Sequence, residues 1–151
     1  MDKTDISISQ ELADALMQMG KFAVSGEEQR IPICGGVLNI PLFSIDRHEA
    51  FILDIRKSER KTIKCSLQNR ARSTIVLARL DLHASPHTNP DGTRVGGNHL
   101  HLYSDKFGDK VANELPPQLL ANGDGTYETL LCFMDYCNII YKPNIPQELF
   151  I

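Results

Sequence analysis

Histidines are concentrated in one part of this chain, between positions 83 and 101, which contain four of its five. His99 and His101 flank a single leucine there, and Asp81 and His83 flank another just upstream. Side chains of a β-strand alternate between the two faces of a sheet, so each pair would share one face. If the two strands are neighbours, that face carries a carboxylate and three imidazoles. An ordinary surface strand has no need of such a group, so it is the strongest indication of function in the sequence.

Metal-independent cleavage of RNA is the first chemistry that fits these side chains. Attack by a 2′-hydroxyl requires one group that takes a proton and another that gives one, and imidazole does either near neutral pH. A neighbouring arginine would stabilise the charge that develops on phosphorus. The corresponding protein would be a toxin-like endoribonuclease that needs no cofactor, with RNA as substrate and a cognate antitoxin as partner. The predicted catalytic residues, which supply base, acid, orienting carboxylate, phosphate ligand and auxiliary donor, are His83, His99, His101, Asp81, Arg79 and Tyr103.

A metal centre is another hypothesis for the same group. Imidazole and carboxylate are common ligands of zinc, iron and manganese, and two histidines separated by one strand residue present both rings on one side. The chain would then be a metal-binding protein or a metal-dependent enzyme. The predicted ligands of this divalent metal are Asp81, His83, His99 and His101.

A binding protein without catalytic activity is the remaining alternative. The sheet face would then bind a nucleic-acid-handling complex, as a phage-encoded or prophage-encoded inhibitor of a defence complex would, and its histidines would hydrogen-bond to the long loop 84–98. His87 would anchor that loop. The same loop contains the turn sequence 89–92, Asn-Pro-Asp-Gly, in which each residue type favours a turn for its own conformational reason. Loops of this length inside a compact domain are often functional.

Basic residues lie close to this segment. Half of the chain's 16 basic residues fall between positions 56 and 79, although the whole chain carries a formal net charge of −3. A local concentration of this kind attracts phosphate chains. Lysine and arginine also protect exposed strand edges, which is the structural alternative. The predicted phosphate-binding residues are Arg56, Lys57, Arg60, Lys61, Lys64, Arg70 and Arg72.

Alternation of apolar and polar residues predicts a series of antiparallel strands that are covered on one side. Phe51, Leu53 and Ile55 mark the buried face of one such strand, and Cys65 and Leu67 that of the next. For segment 73–83, the predicted core-facing residues are Val76, Ala78, Leu80 and Leu82, and the predicted outward-facing residues are Ile75, Leu77, Arg79, Asp81 and His83.

Two helices complete the predicted fold. Ser7 or Ser9 can cap the first helix and Gly20 can end it, and both helices show an apolar stripe at helical spacing. Their packing on the apolar face of the sheet gives an α+β fold. The predicted boundaries are 7–20 for the first helix, 31–103 for the antiparallel sheet and 126–138 for the second helix, within a single domain over 1–151.

The composition is that of an ordinary globular protein, with 42% hydrophobic and 23% charged residues. The first 20 residues include four acidic ones, and no segment approaches the roughly 20 apolar residues that span a bilayer. We therefore expect a cytoplasmic protein without a membrane partner.

Cysteines stay reduced in that compartment, and the four cysteines of this chain do not have the spacing of a zinc site. Those expected to be reduced and mostly buried are Cys34, Cys65, Cys132 and Cys137.

Three segments together carry a resemblance to a known family. They are 79–83 (Arg-Leu-Asp-Leu-His), 86–92 (Pro-His-Thr-Asn-Pro-Asp-Gly) and 99–103 (His-Leu-His-Leu-Tyr). This combination resembles an uncharacterised family of small bacterial proteins, a domain of unknown function, over roughly residues 49–143. The resemblance implies no assigned activity. The layout of histidine, arginine and tyrosine on a sheet is also similar to that of small ribonuclease toxins.

Overall fold

One eight-stranded sheet organises the chain in the structure, a computed structural model that describes residues 7–30, 35–58, 64–119 and 127–147. The strand order is β10-β1-β2-β3-β4-β5-β8-β9, and every neighbouring pair is antiparallel except β1 and β10, which are parallel. A two-stranded hairpin, β6 and β7, stands apart from it. The strands are β1 (Lys21–Ala23), β2 (Val37–Ser44), β3 (Ala50–Lys57), β4 (Cys65–Ala71), β5 (Ile75–Leu82), β6 (His87–Thr88), β7 (Arg94–Val95), β8 (His99–Leu102), β9 (Ala112–Glu114) and β10 (Ile139–Tyr141).

Two helices, α1 (Gln10–Gln18) and α2 (Tyr127–Tyr136), share one apolar core with the sheet. Leu16 of α1 and Phe133 of α2 are fully buried in the same cluster as Leu53 and Leu67 of the central strands. The predicted α+β fold with an antiparallel sheet and helices on its apolar face is therefore confirmed. The side chain of Ser9 caps α1 by accepting a hydrogen bond from the Leu12 N–H.

A bulge in β5 changes which residues of that strand face the core. Asn69 of β4 pairs with Ala78, but the next residue of β4 pairs with Val76, so Leu77 is the extra residue. Leu77 and Ile75 are both buried, whereas Val76 is partly exposed. The predicted faces are therefore correct from Ala78 to Leu82 and wrong before Ala78, because the bulge reverses the alternation.

The sheet extends beyond the predicted range of 31–103 on both sides. Strands β1, β9 and β10 have only three residues each, which is too short for an alternation to be recognised in the sequence. The predicted beginning of the sheet at 31–34 and of the second helix at Thr126 lie outside the described residues.

A buried lysine connects the short strands to the helices. Lys21 of β1 has no exposed surface. Its Nζ donates hydrogen bonds to the carbonyl oxygens of Met17 (3.0 Å), Met19 (2.8 Å) and Cys137 (2.8 Å). These carbonyls lie at the C-terminal ends of α1 and α2, where helices leave oxygens without intrahelical partners. The ammonium therefore satisfies both helix ends at once and supplies the positive charge that their dipoles favour.

Three of the four cysteines are described by the structure, and they are free and buried or half-buried, as expected. Cys65 and Cys137 are buried free thiols, Cys132 is a half-buried one, and Cys34 lies outside the described residues. Burial raises the pKa of the Cys65 thiol to about 11 and that of Cys137 to about 12.

Neither helix of the described chain is long and apolar enough to cross a membrane.

Candidate functional site

The pairing of β5 with β8 brings Asp81 together with two of the predicted histidines. Asp81 lies opposite His99 in the ladder, and Arg79 lies opposite His101. One carboxylate oxygen, Asp81 Oδ2, is 3.1 Å from His99 Nε2 and 3.3 Å from His101 Nε2. Among the residues that the structure describes, Asp81, His99 and His101 form a group whose possible ligand atoms all lie within 4.8 Å of one another. We refer to these three residues as the triad.

Backbone carbonyls fix the orientation of both imidazole rings. His99 Nδ1 is 2.6 Å from the carbonyl oxygen of Gly96, and His101 Nδ1 is 2.7 Å from that of Asp109. A carbonyl oxygen only accepts hydrogen bonds, so each Nδ1 carries the proton and donates it. The Nε2 atoms of both rings face the same oxygen of Asp81. Each Nε2 donates a hydrogen bond to this oxygen when it carries a proton and can bind a cation when it does not.

The triad is largely enclosed. The His99 and His101 residues are 2% and 1% exposed, whereas the Asp81 side chain keeps 17% of its surface exposed. Asp81 is thus the member of the triad that solvent reaches most easily.

Neighbouring groups keep the Asp81 carboxyl ionised. Burial acts to raise its pKa, but hydrogen bonds from His101 and Ser66 and the charge of Arg79 outweigh burial and lower the pKa to about 2. Arg79 also pairs with Asp109 at 2.9 Å. The predicted phosphate-binding role of Arg79 is untested, and its guanidinium is already held between two carboxylates.

His87 is a third imidazole beside the triad, brought there by the β6–β7 hairpin rather than by the sheet. Its ring centroid is 4.8 Å from that of His101 and 5.7 Å from that of His99. Its Nε2 lies 2.8 Å from the carbonyl oxygen of Lys110 and donates to it. The sequence suggested that His87 anchors the loop but gave no indication that it lies next to the other rings.

Asn89 is a positioning residue that the sequence analysis missed. Its side chain pairs with the backbone of Ala112 in β9, accepting from the N–H at 2.8 Å and donating to the carbonyl at 2.9 Å. It also donates to Thr93 Oγ1 across the turn. The hairpin is thereby fixed to the edge of the sheet beside His101. The turn at 89–92 can be recognised in the sequence, but the contact of Asn89 with the backbone of Ala112 cannot.

His83 does not join the triad. Strand β5 ends at Leu82, and His83 adopts a left-handed backbone conformation with φ of 54°. Alternation therefore stops one residue before it, and its side chain does not follow Asp81. Its backbone N–H donates to Asn98 Oδ1, and its buried Nε2 has no hydrogen-bond partner among the described residues. The prediction that His83 shares a face with the other two histidines is corrected on this ground.

Tyr103 is also placed away from the triad. Its hydroxyl accepts from the Ile8 N–H at 2.9 Å and donates to the Ile8 carbonyl at 2.8 Å. The residue follows the end of β8 and packs against the core. Its contacts fasten the chain just before α1 to the sheet.

Two arginines of the basic segment are held in ion pairs. Arg70 binds Asp54 through Nε at 2.7 Å and Nη2 at 3.2 Å, and Arg72 binds both oxygens of Glu49. Lys57 also has a partner. Arg60 and Lys61 lie outside the described residues.

The Arg70–Asp54 pair leads to a prediction about pH. Burial alone would raise the pKa of Asp54, but hydrogen bonds from Arg70, Asn39 and Gln68 hold it below its ordinary value. The unfolded carboxyl titrates near 3.9. Ionised Asp54 therefore stabilises the fold above that pH, and this contribution is lost as the pH falls toward the folded pKa. We expect Asp54→Asn to lower the unfolding free energy at pH 7 by about 1.5–3 kcal/mol.

Urea unfolding at pH 7 and pH 3 measures this contribution. The difference between wild type and Asp54→Asn should shrink at pH 3. Asp105→Asn, at an exposed position, serves as the control with the same change of charge and should behave as wild type does. Equal differences at both pH values would contradict the argument.

Two concave surfaces meet at Asp81. The first, a groove of about 580 Å³, runs across β2 to β5 and is lined by Asn39, Gln68 and the Asp54–Arg70 pair. The second, of about 350 Å³, is lined by Arg56, Ser58, Lys64, Cys65, Ser66, Asp81 and Ala84. Asp81 borders both, so this member of the triad is accessible from the outer face of the sheet.

Comparisons with known proteins agree with the resemblance seen in the sequence. No curated protein and no solved structure matches this chain significantly. The model of a family of unknown function, DUF6978, matches residues 8–139. These residues include the triad, the hairpin and all the strands of the sheet except part of β10. The chain therefore belongs to DUF6978, a family of unknown function.

Proposed function

We propose that the triad binds a divalent transition-metal ion and that the protein is a metal-dependent enzyme. The observation that carries this proposal is the orientation of the rings. Both Nδ1–H groups donate to backbone carbonyls, and both Nε2 atoms face one carboxylate oxygen. Histidines that bind metals characteristically donate their other ring N–H to a carbonyl or a carboxylate, which fixes the tautomer.

Two of the three separations within the triad fit such an ion, and all three ligand atoms lie within 4.8 Å of one another. Ligand atoms about 2.0–2.1 Å from a tetrahedral zinc ion are separated from one another by about 3.3 Å. The two separations between Asp81 Oδ2 and the imidazole nitrogens are 3.1 Å and 3.3 Å.

Three protein ligands with one facing a groove favour a catalytic centre over a structural one. Structural zinc sites use four protein ligands, whereas catalytic sites use three and keep a position for water or substrate. Asp81 borders both concave surfaces. A bound ion would lower the pKa of a coordinated water and supply a hydroxide nucleophile near neutral pH, so we infer hydrolysis as the reaction class.

The metal-independent ribonuclease stays an untested prediction, and one observation weighs against its assignment of acid and base. All four ring nitrogens of His99 and His101 already contact protein atoms, and both residues are buried. In this arrangement neither ring has a nitrogen open to a 2′-hydroxyl. The inhibitor hypothesis, the RNA and antitoxin partners and a cytoplasmic location are likewise untested.

Metal content tests the proposal directly. Protein purified without chelator should contain about one equivalent of zinc, iron or manganese by elemental analysis. His101→Ala should lose the ion, since it removes one of three ligands. His83→Ala is the matched control, because the sequence places His83 in the same cluster and the structure does not. It should retain the ion.

Two results would overturn the metal centre. One is protein that binds no divalent ion at micromolar concentration after exhaustive loading. The other is equal metal retention by His101→Ala and His83→Ala. RNA degraded in excess chelator, with loss of this activity in His101→Ala, would instead support the ribonuclease.

A further inference from the structure

Two basic residues of the predicted patch have no ionic or hydrogen-bonding partner among the described residues. Arg70 and Arg72 are paired with acidic side chains, whereas the side chains of Arg56 and Lys64 make no such contact. Arginine and lysine left unpaired beside a concave surface are available to bind an anion.

These two cations line the same cavity as the metal ligand Asp81. Arg56, Ser66 and Asp81 lie opposite one another on β3, β4 and β5, in one row across the sheet. Neighbouring strands are about 4.8 Å apart, so about 10 Å separates the backbones at Arg56 and Asp81. Lys64 precedes β4 and borders the same cavity of about 350 Å³.

We propose, on the basis of the metal centre above, that this cavity binds the phosphoryl group of a phosphate monoester. One phosphate oxygen approaches the ion at the triad, and the remaining oxygens accept hydrogen bonds from Arg56 and Lys64. A divalent ion and two side-chain cations outweigh the single carboxylate of Asp81. This excess of positive charge favours a dianionic monoester over a singly charged diester.

The proposal gives the basic segment a narrower role than the sequence suggested. A nucleic-acid surface needs many cations along a backbone track. Among the predicted phosphate-binding residues that the structure describes, Arg56 and Lys64 border the cavity at Asp81 without an ion pair. Arg70 and Arg72 are held in ion pairs, and Lys57 has a partner. The geometry therefore points to one phosphoryl group on a small substrate.

Binding of inorganic phosphate to the metal-loaded protein tests this inference. Isothermal titration calorimetry should detect binding by wild type, and Arg56→Gln and Lys64→Gln should each weaken it about tenfold or more. Arg72→Gln removes the same charge from the same basic segment and should leave the affinity unchanged. Phenyl phosphate should bind as phosphate does, and diphenyl phosphate at least tenfold more weakly. The metal content of every variant is measured in parallel.

The outcomes separate the two proposals. A full equivalent of metal together with absent phosphate binding, or with equal affinity in all three variants, overturns the phosphoryl site and leaves the metal centre intact. Diphenyl phosphate that binds as tightly as phenyl phosphate overturns the monoester assignment. Protein that takes up no metal overturns the metal centre, and the phosphoryl site as proposed fails with it.

Discussion

Replacement of Lys21 by methionine is expected to lower the unfolding free energy by about 4 kcal/mol, a large part of the 5–15 kcal/mol that holds a typical domain folded. Methionine fills a similar volume but donates no hydrogen bond. The carbonyls of Met17, Met19 and Cys137 would all lose their donor. A buried acceptor left without a partner costs about 1–3 kcal/mol, and the added apolar burial offsets part of that cost.

Urea unfolding monitored by circular dichroism measures the loss. Lys110→Met is the matched control, because Lys110 is exposed and contributes only its backbone carbonyl to the hairpin. It should change the unfolding free energy by less than about 0.5 kcal/mol. A Lys21→Met protein as stable as the control would show that the three carbonyls find other donors.

Asp81→Asn is expected to reduce metal affinity by more than about 100-fold. Loss of a group that only orients a ligand already costs 10–100-fold, and Asp81 is a ligand in the proposed centre. The amide keeps the shape of the carboxylate but removes its charge and its basic oxygen. Competition with a chromophoric chelator measures the affinity.

Asp54→Asn provides the comparison for this variant. It makes the same chemical change on the same outer face, in the groove that Asp81 also borders, and should keep the wild-type metal affinity. Stability gives an independent readout. Wild-type protein should gain about 2.7 kcal/mol when free metal is 100-fold above its dissociation constant, and Asp81→Asn should gain almost nothing. If the metal stabilised wild type and Asp81→Asn equally, the ion would have to bind at another site.

The central part of the fold was predictable because long strands show their alternation clearly. The buried faces of β3 and β4, at Phe51, Leu53 and Leu67, follow directly from it. The bulge at Leu77 was not predictable, since an extra residue in one strand is defined only by its partner strand. The three-residue edge strands depend on their tertiary contacts and carry no periodic signal.

The candidate site was predictable where local periodicity and strand pairing agree. His99, His101 and Asp81 meet because both strands alternate and β5 pairs with β8. The prediction for His83 was wrong because β5 ends one residue earlier, at Leu82. His83 itself has a left-handed backbone conformation that the sequence does not reveal. His87 arrives through a separate hairpin, which periodicity cannot place.

The availability of the basic residues was not predictable for a related reason. Counting cations within one segment ignores acidic residues that lie elsewhere in the sequence. Asp54 and Glu49 precede the segment, and strand pairing sets them beside Arg70 and Arg72. Tertiary structure decides which charges remain available, so composition alone cannot show them.

The parallel pairing of β1 with β10 sets an order of events during synthesis. Lys21 pairs with Ile139, and its amine needs the carbonyl of Cys137. The pairing of β1 with β10 therefore forms only after residues more than a hundred positions later have been synthesised. A nascent chain on the ribosome cannot complete this edge until residue 139 has left the exit tunnel, and until then the amine of Lys21 lacks one of its acceptors.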